Sequence, residues 1–183
     1  MSELDLAREV ERVRRGDAEA WGEVYRLAAP WVFRLCRRVL PTREDAEDAT
    51  AEVFLKARLR LDQYDSARPL IPWLYRIAAN HCWDRLRRRR NRREREWYES
   101  QMAASGEPGP ESRLLAEESH QQIRQALGRL GDRARMVLVM RYFAELSYED
   151  IAQELGVTPS FVGVLLLRAR RELRQAIENE EQP

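Results

Sequence analysis

From Pro72 to Arg95 the chain reads PWLYRIAANHCWDRLRRRRNRRER, more than twenty residues after the proline with neither glycine nor a second proline. Proline suits the first turn of a helix, where its missing N–H costs nothing, so the stretch predicts one long helix over 72–95. Leu74, Ile77, Ala78 and Cys82 recur at helical spacing as an apolar stripe, and Arg76, Asn80, Trp83 and Arg87 fall on roughly the opposite side. The second half carries Arg85, Arg87, Arg88, Arg89, Arg90, Arg92, Arg93 and Arg95, with Glu94 the acid inside the run. Arginine at that density does not pack into a core unpaired. Taken alone, such a run reads as a solvated helix end or a basic arm. Its neighbours change that reading: Trp73, Tyr75, Trp83 and Asn80 just upstream supply what is needed to hold phosphates and meet unstacked bases.

A net charge of +1 in 183 residues means that a basic total is not the argument for nucleic acid. Segregation of charge is. Acids gather at Glu44, Asp45, Glu47, Asp48 and Glu52 and again in the C-terminal tail, whereas arginines gather at 85–95 and 168–174. Cys36 and Cys82 lie in separate apolar helical patterns with no CxxC or Cys/His spacing, so they read as reduced core thiols rather than metal ligands. His81, towards the apolar side of the long helix, reads as a core imidazole. No metal, cofactor or nucleophile-and-base constellation is expected, hence no enzyme. With no signal-type leader and no run of about 18 apolar residues, a cytoplasmic protein without membrane insertion is expected.

The rest of the chain predicts helices only. Leu6, Val10 and Val13 mark a first helix over 4–15, ended by Gly16 and followed by a cap at Asp17. The next apolar pattern runs from Ala20 to Val39, with a kink or break expected at Pro30. Thr42 with Asp45 has the form of a capping box opening a third helix, Arg43 to about Leu61. Its apolar side is Ala46, Ala49, Val53, Phe54 and Ala57; its other side carries Glu44, Glu47, Asp48 and Glu52, which suit a helix N-terminus in any protein and also a basic partner. A polar loop with Arg68 and Pro69 leads into the long helix and completes a first domain, 1–95. Residues 96–111, with Gly106, Pro108, Gly109 and Pro110, read as a flexible linker.

In a second domain, 112–178, Leu114, Leu115, Ile123, Ala126, Leu127 and Leu130 predict an amphipathic helix closed by Gly131. Asp132 is expected to cap the next helix, which buries Ala134, Val137, Leu138 and Tyr142. Ser147 with Asp150 makes a second N-terminal cap, Gly156 a left-handed stop, and Thr158-Pro159 a new start. Short helix, glycine turn, second helix is helix-turn-helix spacing. Residues 179–183 form a tail.

Taken together these segments resemble a sigma factor of the extracytoplasmic-function class in the sigma-70 family. DAEDATAEVFLKA at 45–57 is similar to the family's core-polymerase-binding helix, RPLIPWLYRIAANHCWDRLRRRR at 68–90 to its promoter-melting segment, and LSYEDIAQELGVTPSFVGVLLLRARREL at 146–173 to its upstream-promoter reader. The resemblance implies an all-helical fold of two small domains, no enzymatic activity, and RNA polymerase core, promoter DNA (duplex and melted strand) and an anti-sigma factor or other regulator as partners. It assigns Asp45, Glu47, Asp48 and Glu52 to core polymerase, Tyr75, Arg76 and Asn80 to bases or single strand, and Lys56, Arg85, Arg87 and Arg88 to phosphates. In the reader it points to Ser160, Phe161, Gly163, Val164, Leu167, Arg168, Arg170 and Arg171.

Some positions depart from the pattern. Ala51 and Arg58 replace a common glutamine and an aromatic, and Gly163 and Leu165 stand where the reader helix usually has Lys and Arg. Leu165, with Val162, Leu166, Ala169 and Leu173, fits a core or core edge. Gly163 suggests a close backbone approach or a tolerated weakness. Three readings of the outward apolar face stay open: contact with thymine methyls, weak or partner-assisted DNA binding, or a protein-docking surface. A helical adaptor acting through protein contacts, or a plain helix-turn-helix repressor, is the alternative to a sigma factor.

Overall fold

Where the chain stops each helix is decided by local chemistry. In the computed structural model, which describes residues 3–101 and 125–178 and side chains within 5–92 and 125–178, helix α1 (Glu3–Arg14) ends at Gly16, whose φ of 93° is open to glycine at no steric cost. Asp17 Oδ1 then accepts from the N–H groups of Glu19 and Ala20 and starts α2 (Ala20–Val39). Thr42 caps α3 (Arg43–Leu59) as expected: Asp45 N–H donates to Thr42 Oγ1 at 3.0 Å, and that hydroxyl, in place of the Thr42 N–H of a capping box, donates to Asp45 Oδ2 at 2.9 Å. A 3-10 turn (Leu61–Gln63) is tied to α1 by Arg14, which donates to the carbonyls of Leu61 and Tyr64. It leads to α4 (Leu70–Gln101).

After a short helical segment, α5 (125–129), come α6 (Asp132–Tyr142), α7 (Tyr148–Leu155) and α8 (Pro159–Glu178). Ser147 caps α7 through Asp150, and Gly156 at φ 65° closes it. The axes of α7 and α8 meet at 91°, the geometry of a helix-turn-helix. No strand occurs among the described residues, and among them no single helix is long and apolar enough to cross a membrane.

Helices α1 to α4 pack around Leu6, Val24, Val32, Leu35, Phe54, Leu74 and Cys82; α6 to α8 pack around Val137, Ile151, Leu166 and Ala169. The two sets are joined. Met136, Val137, Leu138, Val139 and Met140 are all buried, because α6 packs on α2 and α4 as well as on α8. A helix apolar around most of its circumference needs neighbours on every side, and this one has them. Arg135 strengthens the seam: it donates to the carbonyls of Leu127, Gly128 and Leu130 around the end of α5, and to Val39 O at 2.9 Å, at the end of α2. Nearby, Arg38 lies 4.5 Å from the centroid of Phe143.

Several expectations are corrected. Of the kink or break expected at Pro30, the break does not occur: α2 runs through the proline, which lies on the exposed side, while buried Val24, Ala28 and Val32 hold the helix on either side. Trp83 is buried, not outward, since α4 touches α1, α2, α3 and α6 and buries a second stripe, Ala79, Trp83 and Leu86. Tyr142 is exposed, and Gly131 rather than Asp132 occupies the cap position of α6. Helix α4 runs on to Gln101, through the first residues assigned to the linker; the remainder of 96–111, with Leu114, Leu115, Ile123 and the tail, lies outside the described residues. Cys36 and Cys82 are free, buried, and 3.7 Å apart at sulfur.

Candidate functional site

Two charged surfaces of opposite sign meet where α3 runs beside α4. On α3, Glu44, Glu47, Asp48 and Glu52 are exposed, and Glu47 pairs with Arg43 one turn back at 2.7 Å. Asp45 and Glu52 reach towards α4. Arg85 reaches Asp45 Oδ1 at 3.1 Å and Glu52 Oε1 at 3.5 Å, and Arg89 lies 3.9 Å from Asp45 Oδ2. A cleft of about 700 Å³ opens here, lined by Asp45, Glu52, Arg85, Arg88, Arg89 and Arg92. The four residues assigned to core polymerase therefore divide: Glu47 and Asp48 belong to the outer face, whereas Asp45 and Glu52 help fix α3 to α4.

Lys56, expected on phosphates, instead donates to Nδ1 of His81 at 2.7 Å. That bond leaves the ring proton on Nε2, which lies 3.4 Å from Glu52 Oε2. Burial, assisted by the Lys56 ammonium, holds the imidazole pKa below its ordinary value, so His81 is a neutral acceptor for Lys56, while its buried Nε2 lies near Glu52 without a hydrogen-bond partner. Its reading as a core imidazole stands, with a positioning task added.

Near the start of α4, Trp73 packs on Tyr64 with the ring planes tilted by 46° and centroids 5.1 Å apart, and Tyr64 donates its hydroxyl proton to Arg68 O. This braces the loop entering α4. Tyr75 is half-buried against the core, and burial raises its phenol pKa. Arg76 and Asn80 face outward from the Leu74, Ile77, Ala78 and Cys82 stripe, as the spacing predicts, but α7 engages both. Arg76 donates to Asp150 Oδ1 at 2.5 Å and Asn80 Nδ2 to Glu154 Oε1 at 2.7 Å. Arg87, two turns beyond Asn80, is exposed and pairs with Asp84 at 3.1 Å; Arg88 is exposed. Asp150 and Glu154 were missed from the sequence. They sit 74 residues from their partners, and the capping box explains Asp150 without any distant contact.

On α8, Val162, Leu166 and Ala169 are buried and Leu165 and Leu173 partly so, as their spacing predicts. Ser160, Phe161, Val164, Leu167, Arg168, Arg170 and Arg171 are exposed, and Arg170 also donates to Leu166 O. Gly163 is no close-approach glycine: a Cβ there would meet Tyr148 Cε2 at 3.7 Å, ordinary contact. It is the tolerated weakness of the two expectations. Phe161, Val164 and Leu167 thus make a solvent-facing apolar strip edged by arginines.

The arrangement offers charge and contact surfaces, and among the described residues no group of acids, histidines or cysteines could hold a metal ion. Two family models match: sigma-70 region 2 over residues 24–92 and sigma-70, region 4 over residues 120–173. The ECF RNA polymerase sigma factor SigW of Bacillus subtilis is 29% identical over 190 residues, spanning 97% of this chain and 99% of that protein. The ECF RNA polymerase sigma-E factor of Escherichia coli is 32% identical over 182 residues, spanning 95% and 93%. Among solved structures, the sigma factor RpoE in complex with the anti-sigma factor NepR, from Bartonella quintana, superposes with a TM-score of 0.58 at 20% identity, covering 88% of this chain and 98% of that one. CnrH in complex with the cytosolic domain of CnrY gives 0.56 at 22% identity, covering 98% of both. With α1 to α4 containing region 2, the helix-turn-helix falling in region 4, and a relative above 30% identity over nearly the full length, the chain belongs to the extracytoplasmic-function sigma factors of the sigma-70 family.

Proposed function

We propose that this sigma factor, whose task is to direct promoter recognition, docks on RNA polymerase core through the outer carboxylates of α3, holds the separated promoter strand along α4, and sets α8 against upstream duplex. The observation that carries the reading is the division of α3. Asp45 and Glu52 pair with Arg85 of α4, while Glu44, Glu47 and Asp48 pair with no described residue of α4 and stay exposed for a basic partner. Such a patch favours oriented, fast encounter more than raw affinity.

On α4, Arg76 and Asn80 would contact bases or strand, with Arg87 and Arg88 on phosphates. Tyr75 is better placed to support that surface than to stack. Taking a base out of the stack costs a few kcal/mol, which the contacts of the displaced strand offset. On α8 the arginines would hold phosphates, and the apolar strip supplies few donors for a base code, so this helix serves as a weakly coded reader. The job is non-catalytic and cytoplasmic, divided between 1–95 and 112–178 with 96–111 connecting them. One solved neighbour, RpoE of Bartonella quintana, is in complex with an anti-sigma factor, and that supports a regulator of this class as a further partner. Run-off transcription with purified core polymerase, on a promoter taken from upstream of the chain's own gene, tests the whole reading. A defined transcript that requires this chain is expected, and none at any such promoter would defeat it.

A further inference from the structure

The two outward residues of α4 best suited to a melted strand are covered by the first helix of the helix-turn-helix. Helix α7 packs on α6 and α8 and meets α4 through polar bonds: Arg76 to Asp150 and Asn80 to Glu154. A carboxylate on a guanidinium and a carboxylate oxygen on an amide N–H are the contacts that phosphate and base acceptors make with the same groups. Asn80 keeps its Oδ1 buried and without a hydrogen-bond partner, so the bond to Glu154 satisfies only its donor half. Arg76 is 51% exposed and Asp150 30%, so water screens the pair and holds it weakly. By contrast, Arg135 on Val39 O and the buried methionines of α6 secure the same two halves without using any strand-binding group. We propose that the acidic face of α7 is an internal stand-in for the promoter strand: Asp150 and Glu154 occupy Arg76 and Asn80 in the free protein, and the strand gains the site by displacing them. The inference rests on the assignment of Arg76 and Asn80 to the strand.

The experiment uses the full chain without polymerase. Energy transfer between dyes on Arg60→Cys and Gln153→Cys, both exposed positions, reports closure; the native thiols are buried and escape labelling. Fluorescence anisotropy with a short labelled single-stranded DNA of mixed sequence reports strand binding. The variant is Asp150→Ala with Glu154→Ala, which keeps the Ser147 hydroxyl as cap acceptor. Its charge-matched control, Glu149→Ala with Glu172→Ala, removes two exposed acids elsewhere. Transfer is expected to fall slightly, in the variant only, as α7 lifts from α4 while Arg135 and α6 keep the halves joined, and strand affinity to rise about fivefold above the control, the size two weak contacts allow. Arg76→Ala added to the variant should erase that gain. Unchanged transfer overturns the clasp whatever the strand does. Reduced transfer with affinity no better than the control overturns the assignment of Arg76 and Asn80, and the proposed inhibition with it.

Discussion

Helices α4 and α8 both turn arginines outward, yet the fold treats the two faces in opposite ways. Along α4 the polar groups are engaged: Arg76 and Asn80 by α7, Arg85 by Asp45 and Glu52. Along α8, Ser160, Val164, Leu167, Arg168 and Arg171 stand in solvent. The difference follows from position. Helix α4 touches α1, α2, α3, α6 and α7 and lies at the seam of the molecule, whereas α8 is backed by α6 and α7 and leaves a whole side free. A face recognisable from its residue pattern is therefore not yet an available one. On this account α8 can meet duplex as it stands, while α4 has to be uncovered first.

The largest effect expected concerns the seam. Met140 is fully buried in α6, and Met140→Ala should cost about 2–5 kcal/mol. All five tryptophans lie before residue 98, so their fluorescence reports the first half alone. If the halves share one core, this substitution in the second half moves the tryptophan unfolding transition together with the helical one. A tryptophan transition that stays fixed would separate α4 from α6 and break the comparison.

Next in size is core association. Glu44→Lys with Asp48→Lys alters exposed carboxylates and should weaken binding to core polymerase by about tenfold, mainly in the association rate, with the melting temperature lowered only slightly through the loss of Glu44 from the first turn of α3. Asp45→Lys should lower that temperature more, because Asp45 pairs with Arg85 and with the Thr42 cap. Equal core affinity in the double variant and the wild type would remove α3 as the docking helix.

On α8, Gly163→Ala should stabilise the chain by about 1 kcal/mol in denaturant titration, since the added methyl finds ordinary contact with Tyr148. A loss of stability would show a closer approach than 3.7 Å.

The smallest effect is a pH slope. The folded state holds the His81 pKa below its ordinary value of about 6.5, so below that pH the unfolded chain binds the extra proton more readily. Stability is then complete above about pH 6.5 and falls as the pH drops towards the lowered value. His81→Asn, which retains an acceptor for Lys56, should flatten that slope; an unaltered slope would place the titrating group elsewhere.

Much of this was legible because caps and stripes are local. Thr42 with Asp45, Ser147 with Asp150, and Gly156 announce helix ends within a few residues, and Val162, Leu166 and Ala169 mark the inner face of α8 by spacing alone. What was not legible depends on neighbours far along the chain. Trp83 looks outward on a wheel that assumes one packed face, but α4 has more than one. The run Met136 to Met140 carried a usable signal, since five consecutive apolar residues ask for burial all round. Asp150 carried none, its cap role being a sufficient local explanation. Glu52 and Lys56 looked like free charges because nothing near them in sequence shows that His81 lies between them.

The central claim, that α4 rather than α8 opens the promoter, is tested most directly by open-complex formation with core polymerase and the Arg76→Ala and Asn80→Ala variants, on fully paired and on premelted promoter templates. Both side chains point away from the Leu74, Ile77, Ala78 and Cys82 stripe, so the fold should tolerate their loss. The account predicts a marked defect on the paired template and at least partial rescue on the premelted one; an equal defect on both would contradict it.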